Sequence, residues 1–345
     1  MSEKIIKVGI SHGDINGIAY ELILKTFDDA RIFESCIPVL YGSSKILAYH
    51  RKALELPSLN VSNINRAEDA GGNRLNIINV TGEETVVELG KPTVESAKSA
   101  DQALAKALED LKSGIIDALI TAPAATGSTH SIETKTDGAE NGLRILVNNS
   151  FRIALATDKV TLAEVPSLLT REMLTEKIKV LQSALIRDFM ITFPRIAVLS
   201  LNPQVDMEET TTLAIKAASD AGVHCFGPYT ADDFFASDRH KQFDAVLAMY
   251  YDQGIVAFQM ISNEENALFI GNLPYIITAP NQNTSFEKAG KNESSPDSLR
   301  NALYLAIDIY HNRETDKEIH SNPLKKQYFE RGSDNEKLDL TKEDI

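Results

Sequence analysis

Only two cysteines, Cys36 and Cys225, occur in the 345 residues. They are too few and too far apart for a disulfide framework or a thiolate zinc site, and both read as small core residues. No apolar run approaches the roughly 20 residues of a membrane span. Positive charge is in deficit: the formal net charge is -14. Such a surface would be repelled by nucleic acid or an anionic membrane, so neither is expected as a partner. Nothing resembles a signal peptide, because Met1 to Lys4 leads directly into a strand-like run, and a cytoplasmic protein is expected. There is no G-x-G-x-x-G, no internal repeat, and no Ser-His-Asp or Cys-His arrangement for nucleophilic catalysis.

What is present is a core-forming chain, 43% hydrophobic, long enough for two lobes or one large domain. Ile5 to Ile10 reads as a first strand, followed by the glycine-bearing loop Ser11 to Gly17 and a helix from about Ile18 to Phe27. Strand, glycine-rich loop and helix can offer backbone N–H groups to a phosphate, although a plain strand-to-helix connection fits the spacing as well. Strands are expected at 37–41, 75–80, 118–121, 151–156, 195–200, 244–248 and 273–278. Helices are expected at 43–54, 94–112, 171–189, 208–221 and from Ser295 to about Tyr310, with Pro296 in the first turn. This alternation predicts an α/β fold with mostly parallel sheets and right-handed crossovers. After Arg313 the chain turns mixed-charge and apolar-poor, and reads as a surface extension.

Ala248-Met249-Tyr250-Tyr251-Asp252-Gln253-Gly254 follows a short apolar run and reads as a buried strand closing in a polar turn, where open α/β sheets bind ligands. It resembles AMYHDQG, a signature of the 4-hydroxythreonine-4-phosphate dehydrogenase family of vitamin B6 biosynthesis, with Tyr251 where the family has a metal histidine. Further family words follow in order: Gly13-Asp14 with Gly17-Ile18, Thr121-Ala122-Pro123, Arg152 to Thr157, Leu201-Asn202-Pro203, Gly227-Pro228 with Ala231-Asp232, and Leu273-Pro274. The resemblance implies an isopropylmalate-dehydrogenase-like pair of α/β/α lobes with a cleft between them. The expected division is 1–128 plus 279–312 for the first lobe, 129–278 for a second lobe carrying the dimer interface, and 313–345 for a charged tail. It also implies a homodimer, NAD, and a divalent metal (Zn, Mg or Co) for oxidation and decarboxylation of 4-phosphohydroxy-L-threonine.

Residue by residue, the resemblance implies something different. The family's three metal histidines fall on Lys159, Gln204 and Tyr251. Its substrate-binding His-Thr pair falls on Gly138 and Ala139, and its cleft lysines, asparagine and arginine fall on Thr126, Gln259, Leu268 and Ile277. Its Asp-His-Gly-Thr reads Asn281-Gln282-Asn283-Thr284, and only Asp232 and Asp252 are retained among the family's functional positions. Protonated lysine has no lone pair, glutamine offers a weak neutral oxygen, and tyrosine must lose a proton with a pKa near ~10 to ligate well. No metal and no cofactor are therefore expected from the residues themselves, NAD and the metal being implied by the family alone. The expectation is a catalytically degenerate family member with a binding or regulatory role, as a homodimer or paired with an active relative. Two rivals stay open: an active NAD-dependent dehydrogenase on the family substrate or a related hydroxy acid, and a pocket for an uncharged or cationic ligand around Asn281, Gln282 and Asn283. Lys159 could pair with Asp232 or Asp252, Tyr251 reads as a packed aromatic, and His12, His130 and His224 read as surface or loop residues.

Overall fold

The computed structural model describes residues 5–82, 84–125, 142–148, 151–158, 160–202, 208–262 and 266–321. Twelve strands form one sheet in the order β3-β4-β2-β1-β5-β12-β11-β6-β7-β10-β8-β9. The first half comprises β1 (Ile6–Ser11), β2 (Cys36–Gly42), β3 (Val61–Ile64), β4 (Leu75–Asn79), β5 (Ala118–Thr121) and β12 (Ile276–Pro280). Neighbours in that half pair in parallel. The second half comprises β7 (Arg152–Leu155), β8 (Ile196–Leu199), β9 (Cys225–Tyr229) and β10 (Ala245–Ala248), again parallel. Between the halves lie β6 (Leu143–Val147) and β11 (Ala267–Gly271), whose three ladders are antiparallel. The two parallel halves therefore run in opposite senses, and the mostly parallel α/β sheet read from the sequence is present.

Helices cover both faces, as an all-buried parallel sheet requires. On one face lie α1 (Ala19–Phe27), α2 (Ser44–Ala53), α4 (Arg171–Arg187), α5 (Glu208–Asp220) and α8 (Asp297–Ser321), whose apolar residues join one core cluster. The opposite face carries two separate clusters. One lies under α3 (Val94–Lys112), the other under α6 (Ala231–Ala236) and α7 (Tyr251–Ile261). Strand β12 shows why alternation matters: Ile276 faces the first cluster, while Ile277 and Ala279 face the two on the other side.

Local chemistry sets several ends. Thr93 and Ser96 form a reciprocal cap on α3, with Ser96 N–H donating to Thr93 Oγ1 at 3.1 Å. Gly13 has φ +69, and a Cβ there would collide with the Pro123 carbonyl, so only glycine lets the first loop lie against the end of β5. The last helix departs from the sequence expectation. It passes Tyr310 and runs to Ser321, because Arg313 is buried and its Nε donates to Asp188 Oδ1 at 2.7 Å. A charge that looks like surface in the sequence is an internal anchor here. His12 is corrected likewise: it is fully buried, with Nε2 3.2 Å from Ser99 Oγ. Among the described residues no helix is long and apolar enough to cross a membrane.

Candidate active-site cleft

A cleft of about 560 Å³ opens beside the cluster under α7, with Leu268 and Ala279 of that cluster in its lining. Although the halves of the sheet are opposed in direction, the carboxyl ends of both converge on it. Thr121 ends β5 and Pro123 follows it, Asn281 to Thr284 follow β12, Thr157 follows β7, and Tyr250 to Asp252 follow β10. Arg144 from β6 and Leu268 from β11 complete the lining. Strand ends of this kind are where α/β folds place ligands.

The surviving letters of the Tyr251 motif have structural work. Gln253 Oε1 accepts from Met249 N–H at 2.7 Å, and its Nε2 donates to the Ser200 carbonyl at 2.9 Å. One side chain thus ties the end of β10 to the end of β8. Gly254 packs α7 directly on β7: a Cβ there would lie 2.5 Å from Leu155 Cδ2 and 3.2 Å from Ile153 Cγ2. Thr157 fastens the neighbouring strand end, its hydroxyl donating to the Met249 carbonyl at 2.7 Å. Asp252 is exposed in the first turn of α7, where a carboxylate complements the helix dipole. Tyr251, the altered letter, borders the cleft beside these anchors, together with Tyr250 and Asp252.

A charge pair occupies the cleft wall next to Tyr251. Arg144 Nη2 lies 2.8 Å from Asp158 Oδ2, with side chains only 9% and 15% exposed. Burial raises the Tyr251 hydroxyl pKa, Arg144 lowers it, and Asp158 and Asp252 raise it again. The net shift is upward, so Tyr251 is a neutral phenol at physiological pH. A divalent ion would thus meet a protonated phenol and a guanidinium, and the described residues do not fit it. Among them no group of three His, Cys, Asp or Glu is placed to hold a metal. Lys159 and Gln204, the other two family ligand positions, lie outside the described residues, as do Thr126, Gly138 and Ala139.

Several amides of the glycine-bearing first loop are engaged within the protein. Asp14 N–H donates to the Pro123 carbonyl, Asn16 N–H to Asp14 Oδ1, Gly17 N–H to the Asp14 carbonyl, and Ile18 N–H to the Thr284 carbonyl. These donors are satisfied internally, and the plain-connection reading holds for them. Asp14 itself is buried, with the Ser96 hydroxyl 3.1 Å from its Oδ2.

The structure gathers Tyr251, Asp252 and Leu268 at the cleft. Ile277 is 1% exposed in the apolar cluster with Leu119, Ile270 and Leu273 and does not line it. Gln259 projects from the exposed side of α7. Asp232 is exposed in the first turn of α6, its carboxyl held below the usual range by the Thr230 hydroxyl and the Asp233 amide. Arg144 was not legible as a site residue. Its signal was a lone charge inside Leu143-Arg144-Ile145-Leu146-Val147, a run whose other members are apolar. Asp158 is the partner of Arg144, while Lys159, the cation expected beside Asp232 or Asp252, lies outside the described residues.

Two opposed parallel half-sheets, helices on both faces and a cleft at the converging strand ends define an isopropylmalate-dehydrogenase-like α/β protein. The chain belongs to the 4-hydroxythreonine-4-phosphate dehydrogenase family: the family model described as pyridoxal phosphate biosynthetic protein PdxA matches residues 34–306. The 4-hydroxythreonine-4-phosphate dehydrogenase of Bacteroides thetaiotaomicron is 42% identical, covering 99% of this chain and 98% of its own. That of Prosthecochloris aestuarii is 32% identical over 87% of this chain and 96% of its own. In fold, the crystal structure of the Klebsiella pneumoniae 4-hydroxythreonine-4-phosphate dehydrogenase superposes with a TM-score of 0.73 at 21% identity, covering 90% of this chain and 98% of that one.

Proposed function

We propose that this chain is a catalytically degenerate member of its family, acting by binding or regulation as a cytoplasmic dimer, with itself or with an active relative. The observation that carries this is the Arg144–Asp158 pair at 2.8 Å beside the Tyr251 phenol in the cleft. Oxidation of a substrate hydroxyl followed by decarboxylation calls for a Lewis acid on the alkoxide and enolate oxygens. A guanidinium already neutralised by a carboxylate is a poor substitute, since it neither ligates nor activates a hydroxyl. Leu268 adds an apolar surface to the same cleft, and Ile277 lies sealed in the core.

The test is NADH formation from NAD and 4-phosphohydroxy-L-threonine by metal-stripped protein resupplied with zinc, magnesium or cobalt. No turnover with any metal is expected, together with no stoichiometric ion after dialysis. Steady NADH production would overturn the reading. An active NAD-dependent dehydrogenase is the second reading. It is favoured by the names of the curated relatives and by Arg144, which could face an anionic substrate group if Asp158 released it. Co-purification with an active family member tests the pairing, and recovery of this chain with itself alone would count against it.

A further inference from the structure

A second cavity, of about 430 Å³, lies on the opposite face of the central strands. Val147 and Ala267, which line it, point into the core cluster away from the cleft. Strands β6, β7 and β11 form one side, and α8 and the residues after α4 form the other. Arg152 of β7 stands in its wall with its guanidinium 4.4 Å from the centre of the Phe189 ring. Among the described residues its side chain makes one long hydrogen bond, Nη1 to the Asp244 carbonyl at 3.4 Å, and its Nε is buried without a partner.

Two buried carboxylates show the contrast. Asp188, in the same wall, has Arg187 Nε at 2.9 Å and Arg313 Nε at 2.7 Å, and Glu21 has Lys25 at 2.7 Å. Arg152 is largely withdrawn from water, and Asp244 offers it a favourable field without an ion pair. A desolvated guanidinium lacking a counter-charge is unfavourable unless something negative completes it. The adjoining space is polar where it needs to be: Asn301 and Tyr304 reach it from α8. Asp308 borders it too, from the solvent-exposed side of α8, with its carboxyl pKa raised by partial burial.

We propose that this cavity is a small-anion site, separate from the cleft, in which Arg152 holds a carboxylate or phosphate group and α8 contacts the remainder of the ligand through Asn301 and Tyr304. A guanidinium edge suits either group, since both offer paired oxygens. The site is independent of whether the cleft is active.

Unfolding midpoints of the full chain, titrated with inorganic phosphate and separately with acetate against chloride at equal ionic strength, test it. At least one of the two anions is expected to stabilise beyond chloride. Phosphate acting alone assigns a phosphate ester, and acetate acting alone assigns a carboxylate. Arg152→Met should weaken that effect by about ten- to a hundredfold in apparent Kd, the scale of losing a charged hydrogen bond. Asn301→Phe, which fills the cavity without touching the cation, should weaken it similarly if the methionine variant does not fold. The cleft replacement Arg144→Met/Asp158→Asn should leave the effect in place. The proposal is overturned by the absence of any shift beyond chloride in the unaltered protein. It is equally overturned by a shift that survives both cavity substitutions, or one that disappears only with the cleft replacement.

Discussion

Breaking the Arg144–Asp158 pair probes the reading of the cleft most directly. Unit charges about 4 Å apart attract by about 4 kcal/mol at the effective dielectric typical of protein sites. Side-chain exposures of 9% and 15% call for some discount for solvent, leaving a coupling of about 2–3 kcal/mol. Removing one partner costs more than that, about 3–5 kcal/mol, because the other is stranded in a poorly solvated wall. Arg144→Met and Asp158→Asn should therefore each lower the urea-unfolding free energy by that order. The double variant should recover much of the loss, since neither charge remains to be solvated. A double-mutant cycle at constant pH and salt measures the coupling as the departure from additivity. Additive losses, with coupling below about 0.5 kcal/mol, would refute the argument: Arg144 would then be a solvated cation free to meet a substrate, and the active-dehydrogenase reading would gain.

Three further outcomes follow from buried groups. His12 and His50 are both pushed down to about 4 by burial, so the folded chain keeps them neutral while the unfolded chain protonates below about 6.5. Each stabilises fully above pH ~6.5 and loses that contribution as pH falls toward 4, by about 2 kcal/mol at pH 5. Thermal midpoints should fall from pH 7 to 5, less steeply in His50→Gln, and equal slopes would contradict the assignment. Gly254→Ala places a methyl 2.5 Å from Leu155 Cδ2 and should cost about 1–3 kcal/mol in denaturant titration, whereas an unchanged midpoint would mean that α7 is free to move away from β7. Arg313→Leu strips Asp188 of its 2.7 Å partner and should destabilise by about 3 kcal/mol, with earlier amide exchange in the end of α8. Unaltered exchange there would show that the helix does not depend on this anchor.

Much of the architecture could be read from periodicity, because helices such as Val94–Lys112 and strands such as Ala118–Thr121 carry their signal locally in apolar spacing and a cap. Strands β6 and β11 escaped notice. Each is five residues long and lies near stretches of little pattern, and the ladder that pairs them with each other joins segments far apart along the chain. The site divided in the same way. The altered letter Tyr251 stood out against the family word, but the roles of Gln253 and Gly254 as a splice to Ser200 and a close contact with Leu155 appear only in three dimensions. Arg144, Arg152 and Arg313 are indistinguishable as letters, yet one is paired in the cleft, one faces a cavity without a counter-charge, and one anchors a helix.

By itself the sequence determined the class of fold, the family, and which side-chain types stand at Tyr251, Lys159 and Gln204, since these depend on order and identity along the chain. The tertiary structure decided which charges meet and which do not. Burial and pairing are properties of space, and residues such as Arg144 and Asp158, or Asp188 and Arg313, become neighbours only when the sheet brings distant segments within reach.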